Sequence, residues 1–411
     1  MDTLTILCDA FGSRFGGTPG EKQAADFLKA KLEAYGLQNV HLEEIHYEGW
    51  RRGTVSLEIL EPIQRTLPCI SLPHSPPANL EAELVDLDEG APDDFDARAD
   101  EIAGKIVLAT SEVNPRGVKR WIHRNEKYGR SLLAGAAGFI FVNHYPGYGP
   151  ATGGIGEDGA GLILGISLAL EDGRFLQRLL AKHGTVKLRL TSSDVIEPMV
   201  SWNVIGDLPG TGQSDQIVML GSHYDGHDIS QGAGDPASGT VAVLEAARVL
   251  AQYAPDLPCT IRFALWGVEE IGLIGSTQYA EKHADLLDNI RFYLNMDSAG
   301  VIEHKDIELN KWENLAPIFA GWRDEMARDF RVGQSINAHS DHYPFLMAGV
   351  PTGGINQVRR KAFGGRGYGH TAYDTLDKVE ERGVAGSGRF RRPPCPQNCP
   401  SPSLARPTPQ P

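Results

Sequence analysis

The chain has 411 residues, with 39 lysines and arginines against 53 aspartates and glutamates, which gives a formal charge of -14. This length allows about two domains with apolar cores. The acidic balance argues against nucleic acid and anionic membranes as partners. The five cysteines are too few and too scattered for a disulfide framework. The composition excludes a single small module and a disulfide-stapled scaffold.

No run of about 18 apolar residues occurs, and the opening "MDTLTILCDAFGSRFGG" lacks a basic leader followed by an apolar stretch. The sequence as given is therefore expected to be cytoplasmic, without a membrane anchor. If the true start lies upstream, a secreted or periplasmic location is the alternative. The sequence does not indicate an oligomeric state.

The first predicted element is a helix in "TPGEKQAADFLKAKLEAYGLQ", which starts at Thr18 and Pro19 and stops at Gly36. Residues 1–62 are expected to form the N-terminal part of the main domain. The runs "GKIVLAT", "GFIFVN" and "TVKLRLTS" then predict strands, and Ser167 is expected to cap a helix that ends at Gly184. Together they predict a separate, smaller α+β unit over residues 63–196.

Residues 197–381 alternate between strand, loop and helix. "QIVMLGSH", "TIRFALWGVEE", "NIRFYLNMDSAG" and "AGVPTGGINQ" predict strands, and "GTVAVLEAARVLAQ" predicts a helix buried on more than one side. This pattern is typical of an α/β fold with a mixed, mostly parallel central sheet sandwiched by helices. Residues 382–411 hold eight prolines and no acid, which predicts a disordered tail. The abrupt change of composition suggests a shifted reading frame or truncated end.

Acidic and imidazole residues follow three of these strands. His223 and Asp225 follow the first, and Glu269 and Glu270 follow the second, while Asp297 follows the third. In an open α/β sheet, ligands bind beyond the carboxyl ends of the strands, so these loops are expected to meet in one cleft. Any one of these residues alone would be interpreted as a polar side chain on the surface or one with satisfied hydrogen bonds. Their conjunction on consecutive strands, with His370 later in the chain, favours a site.

The residue types favour a catalytic metal. Imidazole and carboxylate suit zinc, with manganese or cobalt as substitutes, and a structural zinc site would use thiolates that this region lacks. The absence of an HExxH helix excludes a thermolysin-like site, and the number of carboxylates favours two metals with a bridging aspartate. Because adjacent residues at a strand end point in different directions, one of Glu269 and Glu270 can hold metal while the other acts as general base.

Six motifs resemble one known family in their order and spacing. They are "GSHYDG", "GAGDPASG", "FALWGVEEIGLIGS", "NMDSAG", "SDHYPF" and "GHTAYDTLDKV". They are similar to the di-zinc metallopeptidases that include bacterial leucyl aminopeptidase, glutamate carboxypeptidase and the catalytically inactive transferrin receptor. The middle stretch is similar to the protease-associated (PA) domain that many members insert.

The resemblance implies two Zn²⁺ ions, a bridging ligand and a general base. In this chain the implied metal ligands are His223 and Asp297 for one ion, Glu270 and His370 for the other, and Asp235 as the bridge. The resemblance also makes Glu269 the general base and Asp225 the carboxylate that fixes the tautomer of His223. It implies a cis bond between Asp235 and Pro236.

Four further residues in or near these motifs have no role implied by the resemblance. His227 and Asp228 match no functional position, and a surface role in the loop is expected for both. His339 and His342, around "SDHYPF", are expected either to form a cleft wall or to pack in the core.

The sequence thus predicts a di-zinc exopeptidase that hydrolyses peptides, with aminopeptidase activity favoured. A carboxypeptidase or dipeptidase is the alternative, because Arg359, Arg360 and Lys361 could receive a substrate carboxylate. A non-catalytic, receptor-like binding module on the same fold is a further alternative. The complete ligand set and Glu269 argue against that module.

Overall fold

The computed structural model describes residues 1–156, 161–212, 214–301, 303–325, 330–357 and 367–387. Its strands form two eight-stranded sheets. Strand β1 (Gln38–Arg51) lies in the first sheet. The next eight strands all build the second sheet: β2 (Val55–Glu61), β3 (Arg65–Leu67), β4 (Ile70–Ser71), β5 (Ala78–Asp86), β6 (Ile106–Thr110), β7 (Gly138–Val142), β8 (Leu164–Leu168) and β9 (Lys187–Ser192). The remaining strands complete the first sheet: β10 (Val195–Leu208), β11 (Ile217–His223), β12 (Thr260–Trp266), β13 (Ile290–Asn295), β14 (Lys305–Leu309), β15 (Val332–Gly333) and β16 (Thr352–Gln357).

Helices cover both sheets. In chain order they are α1 (Asp2–Thr5), α2 (Pro19–Ala34), α3 (Pro92–Ala97), α4 (Ala99–Ile102), α5 (Arg124–Leu133), α6 (Leu170–His183), α7 (Ser238–Leu250), α8 (Ile274–Lys282), α9 (Ala316–Glu325), α10 (His342–Met347) and α11 (Glu381–Ser387). Within the described residues, none of them combines the length and apolar character needed to cross a bilayer.

The first sheet has the strand order β1-β10-β12-β11-β13-β16-β14-β15. Its centre, from β12 through β11 and β13 to β16, is parallel, whereas β1, β10 and β14 pair antiparallel. This confirms the predicted mixed, mostly parallel sheet between helices. Parallel strands buried on both faces need continuous apolar runs, which β11 and β12 supply.

Helices α2 and α7 cover this sheet as the sequence predicted. The Thr18 hydroxyl accepts a hydrogen bond from the backbone N–H of Glu21, so Thr18 caps α2, and Leu28 and Leu32 are fully buried. Helix α7 begins at Ser238 and buries residues all round its first turns. At about 25 cal/mol per Å² of buried apolar surface, these contacts hold the layers together.

The second sheet has the order β3-β2-β9-β5-β6-β7-β8-β4 and contains a parallel stretch from β5 to β8. It begins at Val55 rather than at residue 63 and ends at Ser192 rather than at 196. The chain leaves the first sheet after β1 and returns to it at β10. The second sheet is therefore inserted between two neighbouring strands of the first.

The predicted cap of α6 at Ser167 is wrong. Ser167 is fully buried within β8 and pairs with Ile70 and Phe141 on the two adjacent strands, so the N-cap position falls to Ala169. Ser167 belongs to a continuous apolar run, and the requirements of the sheet outweigh its capping preference. The predicted stop is confirmed, because Gly184 has a φ of 79° in the left-handed region.

The expected disorder from residue 382 onward is wrong for the first residues of that segment. Glu381–Ser387 is helical, and Val384 is 7% exposed and packs in the core that also contains Val379. One short helical turn suffices to place an apolar side chain against α7. The rest of the predicted tail, residues 388–411, lies outside the described residues.

Candidate metal centre

Three neighbouring parallel strands end in the acidic and imidazole residues that the sequence singled out. β11 ends at His223, β12 ends at Trp266 just before Glu269, and β13 ends just before Asp297. His223 lies opposite Trp266 in the β11–β12 register. Because the carboxyl ends of these strands share one edge of the sheet, their loops open into a common crevice.

One group of ligand atoms surrounds the imidazole of His223. Its Nε2 lies 3.2 Å from Oδ1 of Asp235 and 3.5 Å from Oδ1 of Asp297. Oε2 of Glu269 lies 4.0 Å from the same nitrogen. A tetrahedral zinc ion with bonds of about 2.1 Å sets its ligand atoms roughly 3.4 Å apart. The two shorter distances therefore fit one cation.

A second group uses the other oxygen of Asp235. Its Oδ2 lies 3.7 Å from Nε2 of His370, which lies 3.7 Å from Oε2 of Glu270. Asp235 thus presents one carboxylate oxygen to His223 and the other to His370, which is the arrangement required of a bridging ligand. The structure brings all five sequence-predicted metal ligands together.

The donor set also fits zinc chemically. The described residues contain three clusters of His, Asp and Glu atoms close enough to hold an ion, and all three lie at this crevice. Nε2 of His223 is buried without a hydrogen-bond partner within the described chain. Buried polar nitrogens are normally satisfied, so this one fits the role of a metal ligand. Imidazole and carboxylate without thiolate suit a catalytic zinc.

Asp225 connects the first two strand ends. Its Oδ1 accepts a hydrogen bond from the N–H of Glu269 at 3.0 Å, and its Oδ2 accepts one from the N–H of Glu270 at 3.3 Å. Nδ1 of His223 lies 3.0 Å from the main-chain carbonyl of Asp225 and 3.7 Å from its carboxylate. The carboxylate of Asp225 therefore fixes the backbone of the two glutamates. The main-chain carbonyl of Asp225 lies nearer to His223 than its carboxylate does, so the predicted role of that carboxylate in fixing the tautomer of His223 stays a prediction.

Asp374 is a positioning residue that the sequence reasoning missed. It is 2% exposed, and its two carboxylate oxygens accept from the N–H groups of Gly234 at 2.8 Å and Asp235 at 3.0 Å. It thereby fixes the turn that carries the bridging ligand, in which the Asp235–Pro236 bond is cis as the resemblance implied. Its place in "GHTAYDTLDKV", shortly after His370, was the available signal.

Arg14 fixes the same loop from the opposite side. Its side chain is fully buried, and its guanidinium donates to five main-chain carbonyl groups at 2.5 to 3.0 Å, those of Leu7, Gly12, Tyr224, Gln231 and Gly232. The planar fork of an arginine can satisfy several acceptors at once. A single arginine in "GSRFGG" gave no sequence signal of this role.

His227 is not on the loop surface, so that expectation is wrong. It is 2% exposed, its Nε2 lies 2.9 Å from Oε2 of Glu270, and its ring centroid lies 4.5 Å from that of His370. Burial lowers the pKa of His227 to about 4. Asp228 is also only partly exposed, because it pairs with Arg52 at 2.6 Å. Gly232, with a φ of 53° in the left-handed region, lets the loop turn there.

Burial disfavours the ionised form of three carboxyl groups at the crevice. Burial raises the pKa of Glu269 well above its usual range and raises that of Glu270 to about 8. Burial likewise raises the pKa of Asp341 to about 7. Burial opposes the charge on His223, but the carboxylates of Glu269 and Asp297 outweigh it and raise the pKa of that imidazole. A bound cation would supply the missing positive charge.

A cleft of about 700 Å³ opens over this centre and is lined by both parts of the chain. The inserted unit contributes His123 and Arg124 at the start of α5, and the sheet loops contribute His339. The rings of His123 and His339 stack with centroids 4.2 Å apart. His339 therefore belongs to the cleft wall, whereas His342 is 3% exposed and packs in the interior.

Arg124 is the cation from the inserted unit that faces the carboxylates of the crevice. Its Nε donates to the carbonyl of Gly154 at 2.9 Å, and its Nη1 lies 3.4 Å from the carbonyl of Thr152. The N–H of Thr152 donates to the carbonyl of His370 at 2.7 Å, which joins this segment to a metal-ligand loop. Burial lowers the pKa of Arg124 to about 10, so it remains charged at pH 7. The predicted carboxylate receptors Arg359, Arg360 and Lys361 lie outside the described residues.

Residues 203–390 match peptidase family M28. Carboxypeptidase Q from Mus musculus is 27% identical over 305 residues, which cover 72% of this chain and 64% of that protein, so the chain spans less than two thirds of its length. The probable leucine aminopeptidase 2 from Trichophyton verrucosum is 29% identical over 372 residues, which cover 86% of this chain and 71% of that protein.

Solved structures share the whole architecture. A peptidase M28 precursor from Shewanella amazonensis superposes with a TM-score of 0.76 at 26% identity, over 94% of this chain and 89% of that chain. A zinc aminopeptidase from Bacillus subtilis gives a TM-score of 0.73 at 24% identity, over 94% and 91% of the two chains. The second likeness establishes the fold alone.

Proposed function

We propose that the protein is a zinc-dependent exopeptidase that acts as an aminopeptidase on peptides, on the premise that residues 203–390 match peptidase family M28. One observation carries the proposal. The carboxylate of Asp235 lies between two groups of metal-ligand atoms, 3.2 Å from His223 and 3.7 Å from His370, beneath an open cleft.

The arrangement supports two zinc ions, with manganese or cobalt as possible substitutes. His223 and Asp297 would hold one ion, Glu270 and His370 would hold the other, and Asp235 would contact both. Zinc in these positions supplies Lewis acidity, which polarises the scissile carbonyl and lowers the pKa of water from 15.7 to about 7.

In this proposal Glu269 moves the proton. Its side chain is 11% exposed and lines the cleft, while the hydrogen bond from its N–H to Asp225 fixes its backbone. In the proposed reaction its carboxylate takes a proton from the attacking water as the new C–O bond forms. It then delivers a proton to the leaving nitrogen as the C–N bond breaks, so the carboxylate is regenerated. General base catalysis of this kind contributes about 10²- to 10⁴-fold.

The aminopeptidase assignment takes support from the similar proteins that are named leucine aminopeptidase 2, which align over 86% of this chain. Removing one terminal residue requires a group that recognises the free chain end. Glu269, which is not among the proposed metal ligands, lines the cleft and could attract an α-amino group.

A carboxypeptidase is the second candidate, and Arg124 is the observation that favours it. Its guanidinium lines the cleft from the inserted unit and has carbonyl partners for Nε and Nη1. Arginine is well suited to bind a carboxylate through two parallel hydrogen bonds. A similar protein is named carboxypeptidase Q.

A substrate panel with and without chelator tests the proposal. Aminoacyl anilides offer a free amine but no carboxylate, and N-acetyl dipeptides offer a carboxylate but no free amine. An aminopeptidase hydrolyses the anilides, loses activity with chelator and regains it with zinc. Hydrolysis restricted to N-acetyl dipeptides would replace the aminopeptidase with the carboxypeptidase. Absence of both zinc and turnover would reject the enzyme and favour a binding module.

The Arg124→Gln variant sharpens this test. If Arg124 binds a substrate carboxylate, the variant raises KM for peptides with a free carboxyl end about 10-fold, the loss of one charge-assisted contact worth about 1.4 kcal/mol. KM for the anilides then stays the same. An equal change in both substrate classes would show that Arg124 shapes the cleft without binding the carboxylate.

A further inference from the structure

His227 lies beside the group of ligand atoms around Glu270 and His370, which is the Glu270 side of the candidate centre. Neither of its ring nitrogens forms a hydrogen bond within the described chain. Its Nδ1 and Nε2 are both buried, and within the described chain neither has a hydrogen-bond partner. The residue as a whole is 2% exposed. Burying an unsatisfied polar group costs on the order of 1 to 3 kcal/mol, so such groups normally have a partner that has to be identified.

The contacts of His227 point toward the same cation as His370. Nε2 of His227 lies 2.9 Å from Oε2 of Glu270, and Nε2 of His370 lies 3.7 Å from that oxygen. These two distances bracket the separation of roughly 3.4 Å between the ligand atoms of a tetrahedral zinc ion. One atom each from His227, Glu270 and His370 forms a cluster in which all three lie within 4.8 Å of one another.

A hydrogen bond to Glu270 does not account for this contact. At 2.9 Å the distance would allow one, yet the geometry leaves Nε2 of His227 without a hydrogen bond. A donor nitrogen would aim its N–H at the oxygen, because the bond weakens steeply at poor angles. A ligand nitrogen instead aims its lone pair at a point beside the oxygen, where a shared cation would lie.

We propose that His227 is a fourth protein ligand on the Glu270 side, so that the two metal positions are unequal. This inference rests on the proposed metal-dependent function. The Glu270 side would then have His227, His370, Glu270 and the bridging Asp235. The His223 side has His223, Asp297 and Asp235, which leaves a position open for water and substrate. Four protein ligands are typical of a closed site and three of a catalytic one.

The proposal predicts that zinc binds in sequence, first to the Glu270 side. Three metal-free proteins, the wild type, His227→Asn and His74→Asn, would each be titrated with zinc in competition with a chromophoric chelator. His74 is the matched control, because it is 1% exposed and its Nε2 also lacks a partner among the described residues. We expect the wild type and His74→Asn to bind in two separate steps. In His227→Asn the tighter step weakens about 10- to 100-fold.

A spectroscopic readout separates ligation from indirect positioning. Each protein would be loaded with one equivalent of cobalt until the tighter position is saturated. If His227 is a ligand, loss of its nitrogen makes the d–d absorption of His227→Asn differ from that of the wild type. Weaker affinity with an unchanged saturated spectrum would overturn the proposal, because His227 would then act through Glu270. Identical isotherms for the wild type and His227→Asn would also overturn it.

The unmutated protein supplies a test that does not depend on folding of a variant. X-ray absorption of the form loaded with one zinc should require two imidazoles on that ion if His227 binds beside His370. A single imidazole would contradict the proposal while leaving the proposed function intact. Failure of the wild type to bind any zinc would remove the proposed function as well, so the two failures can be told apart.

Discussion

The second sheet and the crevice of the first sheet differ in how their charged side chains are paired. On the second sheet, Arg189 lies 3.0 Å from Glu58 and 2.6 Å from Glu81, so each carboxylate has a cation beside it. At the crevice of the first sheet, Glu269 and Glu270 approach other carboxylates and imidazoles instead. Both sheets have parallel strands with polar residues at their ends, so topology alone does not make a site.

A buried cation in the inserted unit extends the contrast. The ammonium group of Lys127 donates to the carbonyls of Glu89, Thr110 and Glu112 at 2.5 to 2.8 Å, which uses all three of its protons. The crevice of the first sheet leaves Nε2 of His223 and both ring nitrogens of His227 without hydrogen-bond partners in the described chain. Single buried atoms without a partner also occur in the inserted unit, as at Nε2 of His74, so a candidate centre is marked by several unbalanced groups that lie together.

The largest expected effect is the loss of turnover in Glu269→Gln. The amide cannot take a proton from water, so kcat should fall about 100-fold or more while zinc content is retained. Steady-state kinetics and elemental analysis measure the two quantities. Glu281→Gln is the control, because Glu281 is exposed and lines the same cleft. Equal turnover in Glu269→Gln and the wild type would place the proton transfer elsewhere.

The next effect concerns His74, a buried imidazole of the inserted unit. Burial lowers the pKa of His74 to about 4 from 6.5, so on acidification the unfolded chain takes up the proton first. Its stabilising contribution is complete above pH 6.5 and is lost as the pH falls toward 4. Between pH 6.5 and 5 the free energy of unfolding should fall by about 2 kcal/mol more in the wild type than in His74→Asn.

Urea unfolding at the two pH values measures this difference. Asparagine tolerates the positive φ of 71° at this position, so the backbone can be kept. His46→Asn is the surface control, since the side chain of His46 is 71% exposed, and it should keep the wild-type slope. A parallel slope in His74→Asn would show that burial does not set the protonation of this imidazole and that another contact satisfies its nitrogen.

A smaller effect is expected from Asp374→Ala. Without its carboxylate, the N–H groups of Gly234 and Asp235 lose their acceptors, and the turn that carries the bridging ligand becomes less ordered. Zinc affinity should fall about 10- to 100-fold, as for other residues that orient metal ligands. Chelator competition gives the value, with Asp377→Ala as the control, because Asp377 is exposed in the same segment. Unchanged zinc affinity would show that Arg14 alone orders the loop.

Local patterns predicted the parts of this fold that depend on neighbours in sequence. The ends of β11, β12 and β13 could be located because apolar runs stop at polar residues, and α2 could be located from Thr18 and its periodicity. The candidate metal ligands followed from the resemblance of six motifs to a known family. These features are encoded within about ten residues each, so one sequence suffices to recognise them.

The parts that could not be predicted depend on distant contacts. Arg14 and Tyr224 are 210 positions apart in the chain, and Asp374 and Gly234 are 140 apart, yet both pairs fix one loop. The burial of His227 depends on the loop folding back against Glu270, which no periodicity encodes. Ser167 lies in a strand and not at a helix cap because its pairing with distant strands outweighs the local capping preference. Tertiary context decides such positions.

The five carbonyl groups gathered by Arg14 bear on how the molecule matures. They belong to the segment from Leu7 to Gly12 and to the loop from Tyr224 to Gly232, so the earlier segment gains these partners only after Tyr224, 210 positions beyond Arg14, has been synthesised. The inserted unit comes between them and can form its own sheet beforehand. The loop that carries Asp235 is therefore ordered late in synthesis, so the candidate metal centre would assemble after the inserted unit.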